Sequence, residues 1–140
     1  MIDQSVQLRA GLHNVGSYQV SGVPFVTGAL SVPTSSAAAP LEITFPSVTQ
    51  RIHIHNNSSS EGVKIGFSAN GVKGSNYWLV EPHATNGKNT DYIELRVKTN
   101  KIYLISTGAA ITSGVYVAAE LTGIAGYDLV TAYSGAAGIG

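Results

Sequence analysis

The chain has 140 residues, enough for one domain with a sizeable core. Charged residues make up only 11 %, against about 25 % in an average soluble domain, and eight basic residues cancel eight acidic ones. That balance argues against a nucleic-acid binder that must neutralise phosphates, and it suits a surface packed against neighbours better than a free monomer.

Residues 1–40 read as an irregular N-terminal arm with short strands. SVQLRAG, SYQVSG and VTGALSV are brief and broken by glycine and Pro24, and VPTSSAAAP (32–40) reads as a proline-bounded linker. Deletion of residues 1–35 is expected to leave a folded domain. QVSGVPFVTG (19–28) is apolar and irregular, so Val23, Pro24, Phe25 and Val26 either fold back on their own sandwich or add to a neighbour's sheet edge. They are candidate partner contacts.

From Leu41 to Ile124 the pattern becomes regular, and this stretch is the expected β-sandwich body. LEITF (41–45) alternates, and Pro46 ends it because proline cannot donate to a ladder. VTQRIHIHN (48–56) places Val48, Gln50, Ile52 and Ile54 inward, with Arg51, His53 and His55 on the other face. VKIGFSA (63–69) groups Val63, Ile65 and Phe67, and Asn70-Gly71 after it suits a primed hairpin turn.

YWLVE (77–81) is short and aromatic. Tyr77 and Trp78 are adjacent and so face opposite ways on a strand. Trp78 is read first as a core residue, with an interface hot spot and a sugar-stacking platform as the other roles open to it. PHATNGKNT (82–90) is a polar loop. DYIELRVK (91–98) alternates cleanly, IYLIST (102–107) returns after Asn100-Lys101, GAAITSG is a loop, and VYVAAELTGI (115–124) is the last strong strand.

Residues 125–140 form a C-terminal tail in which Tyr127, Leu129, Val130 and Tyr133 are candidate partner contacts. Its end, SGAAGIG, is mostly glycine and alanine and cannot order itself, so a partner surface is expected to hold it. Turn signals at roughly 8–12-residue spacing and about eight strands predict an all-β fold. It is an antiparallel two-sheet sandwich, either a jelly roll or an immunoglobulin-like fold.

The chemistry-bearing residues are sparse. The sequence contains no cysteine, hence no disulfide framework or thiolate site. No secretory leader is expected from MIDQSVQLRAGLHN, and no apolar run approaches the ~20 residues of a membrane-spanning helix. His53 and His55 are weak metal candidates, because an ion needs at least one more ligand and nothing in the sequence brings His13 or His83 near. Asp91 and Glu94 fall on opposite faces of a strand, and neither a nucleophile elbow nor a phosphate-binding glycine loop occurs. No catalytic residue, cofactor or enzymatic activity is expected.

LRAGLHNVGSYQVSGVPFVTG, LEITFPSVTQRIHIHNN, VKIGFSANGV and KIYLIST together resemble small single-sandwich structural proteins of marine tailed phages and related double-stranded DNA viruses. The resemblance covers most of the chain through strand patterns and not through catalytic signatures. It implies a jelly roll that decorates or cements an icosahedral capsid, or serves as a minor capsid or vertex protein. The implied partners are the major capsid protein and copies of the chain itself, as a homotrimer or pentamer, with no nucleic acid and no membrane. The implied location is the capsid surface, after synthesis in the host cytoplasm. Two alternatives stand beside it: a carbohydrate-binding module of a viral fibre or adhesin, cued by Trp78, and a cupin-like metal protein, cued by His53 and His55.

Overall fold

The computed structural model describes residues 23–83, 90–126 and 136–140. These residues form eight strands: β1 (Val23–Val32), β2 (Leu41–Thr44), β3 (Thr49–Asn56), β4 (Val63–Gly66), β5 (Trp78–Val80), β6 (Tyr92–Leu95), β7 (Lys101–Ser106) and β8 (Ile111–Leu121). One short helix, α1 (Ala69–Lys73), lies between β4 and β5. The strands make two four-stranded sheets, ordered β1-β8-β3-β6 and β2-β7-β4-β5, with every pair antiparallel.

The order has a simple origin. Pairs β1·β8, β2·β7, β3·β6 and β4·β5 nest like the two arms of one long hairpin. Rolling that hairpin brings β8 beside β3 and β7 beside β4. This is the eight-stranded jelly roll. Alternation along the strands supplies the core. Ile52 and Ile54 of β3, Ile102 and Leu104 of β7, and Val115 and Val117 of β8 are buried between the sheets with Ile43, Val63 and Ile65. Fully burying one such side chain contributes about 1.5–3 kcal/mol.

The sandwich includes Val23–Val32, which the sequence reading left outside a body starting at Leu41. β1, placed by the sequence reading in the irregular N-terminal region, pairs along β8 from Val23↔Leu121 to Val32↔Ile111. Pro24 and Gly28 are compatible with a strand because, among the described residues, β1 is at the sheet's edge, where one row of backbone groups carries no ladder. The register shifts on either side of Leu30, and Ala29 takes a left-handed φ of 52° there. A deletion through residue 35 would therefore remove a whole strand of the sandwich. At the other side of the pair, Ile111–Gly114 extend β8, where the sequence suggested a loop.

Asn70-Gly71 do not form a hairpin turn; they lie in α1. Ser68 caps this helix by accepting from Gly71 N at 2.9 Å, and Val72 is buried beneath it. The same serine hydroxyl lies 2.9 Å from the carbonyl oxygen of Ile139 and 2.7 Å from that of Gly140, sharing its single proton between them. Residues 136–140 are thus held by their own chain, where a partner surface had been expected. Tyr127, Leu129, Val130 and Tyr133 lie outside the described residues.

Candidate functional site

The outer face of the first sheet carries the polar residues that alternate with its core. Arg51, His53 and His55 project from β3 on the side opposite Ile52 and Ile54. Register sets their neighbours: His55 lies between Tyr116 of β8 and Tyr92 of β6, and His53 between Ala118 and Glu94. His53 stacks on Tyr92, with ring centroids 5.4 Å apart and planes 10° from parallel. Arg51 Nε is 3.1 Å from Glu94 Oε1 and 3.8 Å from Glu120 Oε2. The two histidines of the strand share Tyr92 as a neighbour, but only His55 reaches the other metal-ligating side chains among the described residues.

At the end of β3 a second constellation forms. His83, the second residue of the polar loop read from the sequence, and Asp91, just after that loop and just before β6, both converge on His55. His83 Nδ1 donates to Asp91 Oδ2 at 2.7 Å, while His55 Nδ1 is 4.0 Å from the same oxygen. One donor atom from each of the three residues lies within 4.8 Å of the others. The Asp91 side chain is only 11 % exposed, against 57 % for His83. Its carboxyl is held below the ordinary aspartate value, chiefly by the His83 hydrogen bond and against the opposing effect of burial.

Asn56 fixes this corner from beneath. It is fully buried next to His55, and its Nδ2 reaches the carbonyl oxygens of Glu61 (2.8 Å), Glu81 (3.2 Å) and Val80 (3.3 Å). Its Oδ1 accepts from Ser58 N at 3.0 Å, and its own backbone N–H donates to Asp91 O at 2.7 Å. His83 N donates to Ser58 O at 2.7 Å. One amide side chain therefore ties the end of β3 to the end of β5, and the backbone around it seats both His83 and Asp91. Sequence reasoning missed His83, Asp91 and Asn56. Their one available signal was that His83 and Asp91 stand near the two ends of a single polar connection, whose ends must approach each other when the flanking strands sit at facing sheet edges.

The apolar candidates lie at the open sides of the roll. On β1, Val23 and Val26 are exposed, while Phe25 turns inward, edge-on to Phe45 with centroids 5.1 Å apart. Pro24 and Val26 border a depression of about 450 Å³ whose far wall is Arg51, His53 and Glu94. Trp78 is not a core residue: it is 63 % exposed. It pairs with buried Ile65 and so faces the same side, but β5 is an edge strand and no further strand among the described residues covers it. Trp78 and Tyr77 line a groove of about 490 Å³ together with Ile93 and Leu95 of the opposite sheet. Lys64 Nζ sits 4.6 Å from the centre of the Tyr77 ring.

Compared with known proteins, the chain matches no family model, no curated protein and no solved structure.

Proposed function

We propose that this chain is a structural component of a virion, a subunit that decorates, cements or helps to build an icosahedral capsid through many repeated contacts. The observation that carries the reading is the placement of exposed apolar side chains at both open sides of the jelly roll. Val23 and Val26 lie on β1; Tyr77, Trp78 and Leu79 lie at β5. Such a body offers adhesive edges in two directions while its interior is filled by aliphatic side chains. Double-sheet jelly rolls serve in capsids, lectins and cupins. Low charge favours burial among neighbours, and repetition over a closed shell multiplies weak contacts. The partners in this reading are the major capsid protein and further copies of the chain, and no catalytic step is assigned. The cupin alternative has less support, because His53 and His55 point away from the packed interior.

Immunogold labelling and cryo-EM of virus particles from the source of the sequence test this reading. The chain is expected on the shell, in copy numbers set by the shell's symmetry. Its absence from particles, together with a strictly monomeric state in solution, would overturn the assignment.

Exposed Trp78 supports a second reading, a carbohydrate-binding module in which the indole stacks on a sugar ring. A glycan array probed with wild type and Trp78→Ala separates the two. Binding that disappears in the variant favours the module, and silence from both proteins removes it.

A further inference from the structure

We propose that His55, His83 and Asp91 form a binding site for one divalent transition-metal ion, with zinc as the ion that best suits the donors. Two imidazoles and one carboxylate are a recognised ligand set for zinc, leaving a fourth position for water or an incoming ligand. The three residues come from separate segments, and one donor atom from each already lies within 4.8 Å of the others.

The geometry needs an inward turn of the two imidazoles, since the donor atoms now spread over as much as 4.8 Å. Zinc–ligand bonds of about 2.0–2.1 Å in tetrahedral arrangement put donor atoms roughly 3.3 Å apart. The His83–Asp91 separation of 2.7 Å must open slightly, and the His55–Asp91 separation of 4.0 Å must close slightly. Both changes are under an ångström, and the largest donor separation, up to 4.8 Å, closes by about 1.5 Å as the half-exposed His83 ring turns inward. The ion takes the place of the proton that His83 now donates to Asp91. His83, being half exposed, can turn; Asp91, nearly enclosed, provides the fixed point.

The setting resembles that of a supported site. Metal ligands are held in orientation by surrounding hydrogen bonds. Here Asn56 N–H binds the Asp91 carbonyl, and Ser58 O receives His83 N–H. Tyr116 stands beside His55 with ring centroids 6.4 Å apart. His53, one row away and stacked on Tyr92, is excluded from the set. The ion would clip the segment joining β5 and β6 onto the end of β3. The site does not depend on the virion reading, since a capsid subunit, a lectin or a free domain could each carry such a clip.

Calorimetric titration of the full chain with zinc chloride tests the proposal, with cobalt(II) absorption as a second readout of coordination. One ion per chain is expected, with d–d bands of a low-coordinate cobalt site. His83→Ala and Asp91→Asn are expected to weaken zinc by at least tenfold, while His53→Ala leaves it unchanged. His83 is exposed, so its variant should keep the fold, and circular dichroism confirms this; His55→Gln serves as a further ligand variant. Failure of the wild type to bind zinc at millimolar concentration overturns the site, as does binding that survives His83→Ala undiminished.

Discussion

The His83 imidazole and the Asp91 carboxylate, eight positions apart in the chain, meet at 2.7 Å and close the two ends of one polar loop on each other. His55 stands 4.0 Å from the same oxygen, so a ligand joining all three would bind the folded state and not the unfolded chain. Zinc at one hundred times its dissociation constant would then add about 2.7 kcal/mol of stability. For a domain of this size that corresponds to a rise in Tm on the order of 10 °C. Differential scanning fluorimetry should show this shift with zinc, its reversal by a chelator, and at most about half of it in His83→Ala at the same zinc concentration. An equal shift in the variant would place the stabilising ion elsewhere.

Asn56→Ala should be among the most damaging polar substitutions in the molecule. It removes the side chain that reaches the carbonyl oxygens of Glu61, Val80 and Glu81 and accepts from Ser58 N. Buried backbone groups left without partners cost roughly 1–3 kcal/mol each, partly relieved where water can enter. A net loss of about 2–4 kcal/mol is expected from urea denaturation. Amide exchange should accelerate at Ser58, Glu61 and His83 more than in β7. A loss below half a kilocalorie would show that this asparagine does not hold the corner together.

Much of the architecture is legible where one face of a strand is buried and the other wet. RIHIH and YIEL alternate, and the structure buries Ile52 and Ile54 and exposes Tyr92 and Glu94. Alternation identifies a strand and its inner face, yet it is silent on which strand lies beside it. The neighbours of His55 are set by a roll that brings together residues 55, 92 and 116, and no local pattern encodes that. Trp78 illustrates the same limit: its direction follows from strand parity, but its exposure follows from β5 being an edge. β1 was obscured by Pro24 and Gly28, which an edge strand accommodates. α1 was obscured because Asn70-Gly71 fits both a turn and a capped helical turn, and the Ser68 hydroxyl selects the helix.

Gly71→Ala should separate the fold from the docking of residues 136–140. A Cβ at this position would overlap the Ile139 carbonyl oxygen and lie 2.8 Å from Ser68 Oγ. Alanine favours the helix itself by up to about 1 kcal/mol over glycine, so the domain should stay folded. The C-terminal residues should be displaced, which digestion by a carboxypeptidase reads directly: faster trimming in the variant at unchanged Tm. Equal trimming rates would mean that the Ser68 contacts to Ile139 and Gly140 do not retain this segment.

The ion pair between Glu42 of β2 and Lys101 of β7 sets a pH dependence whose sign can be worked out. Lys101 Nζ lies 2.9 Å from Glu42 Oε1. This hydrogen bond is the chief cause that holds the Glu42 carboxyl below its ordinary value of 4.5, with burial opposing and the Thr44 hydroxyl assisting. The same bond to Glu42 raises the Lys101 ammonium above its ordinary 10.5. In acid the unfolded chain binds a proton at Glu42 before the folded one does, so stability rises with pH in that window. The contribution is fully present above the unfolded carboxylate value and is lost as pH falls through the lower folded value. On the alkaline side it is fully present below the ordinary lysine value and is lost as pH rises through the raised one. Both side chains are more than two-fifths exposed, so solvent and salt screen the pair and its effect is small. A double-mutant cycle with Glu42→Gln and Lys101→Met, read by urea denaturation, should show favourable coupling near neutral pH that falls progressively as pH drops below the ordinary glutamate value. Adding salt should shrink the neutral-pH coupling, and coupling that persisted undiminished in acid would contradict an electrostatic origin.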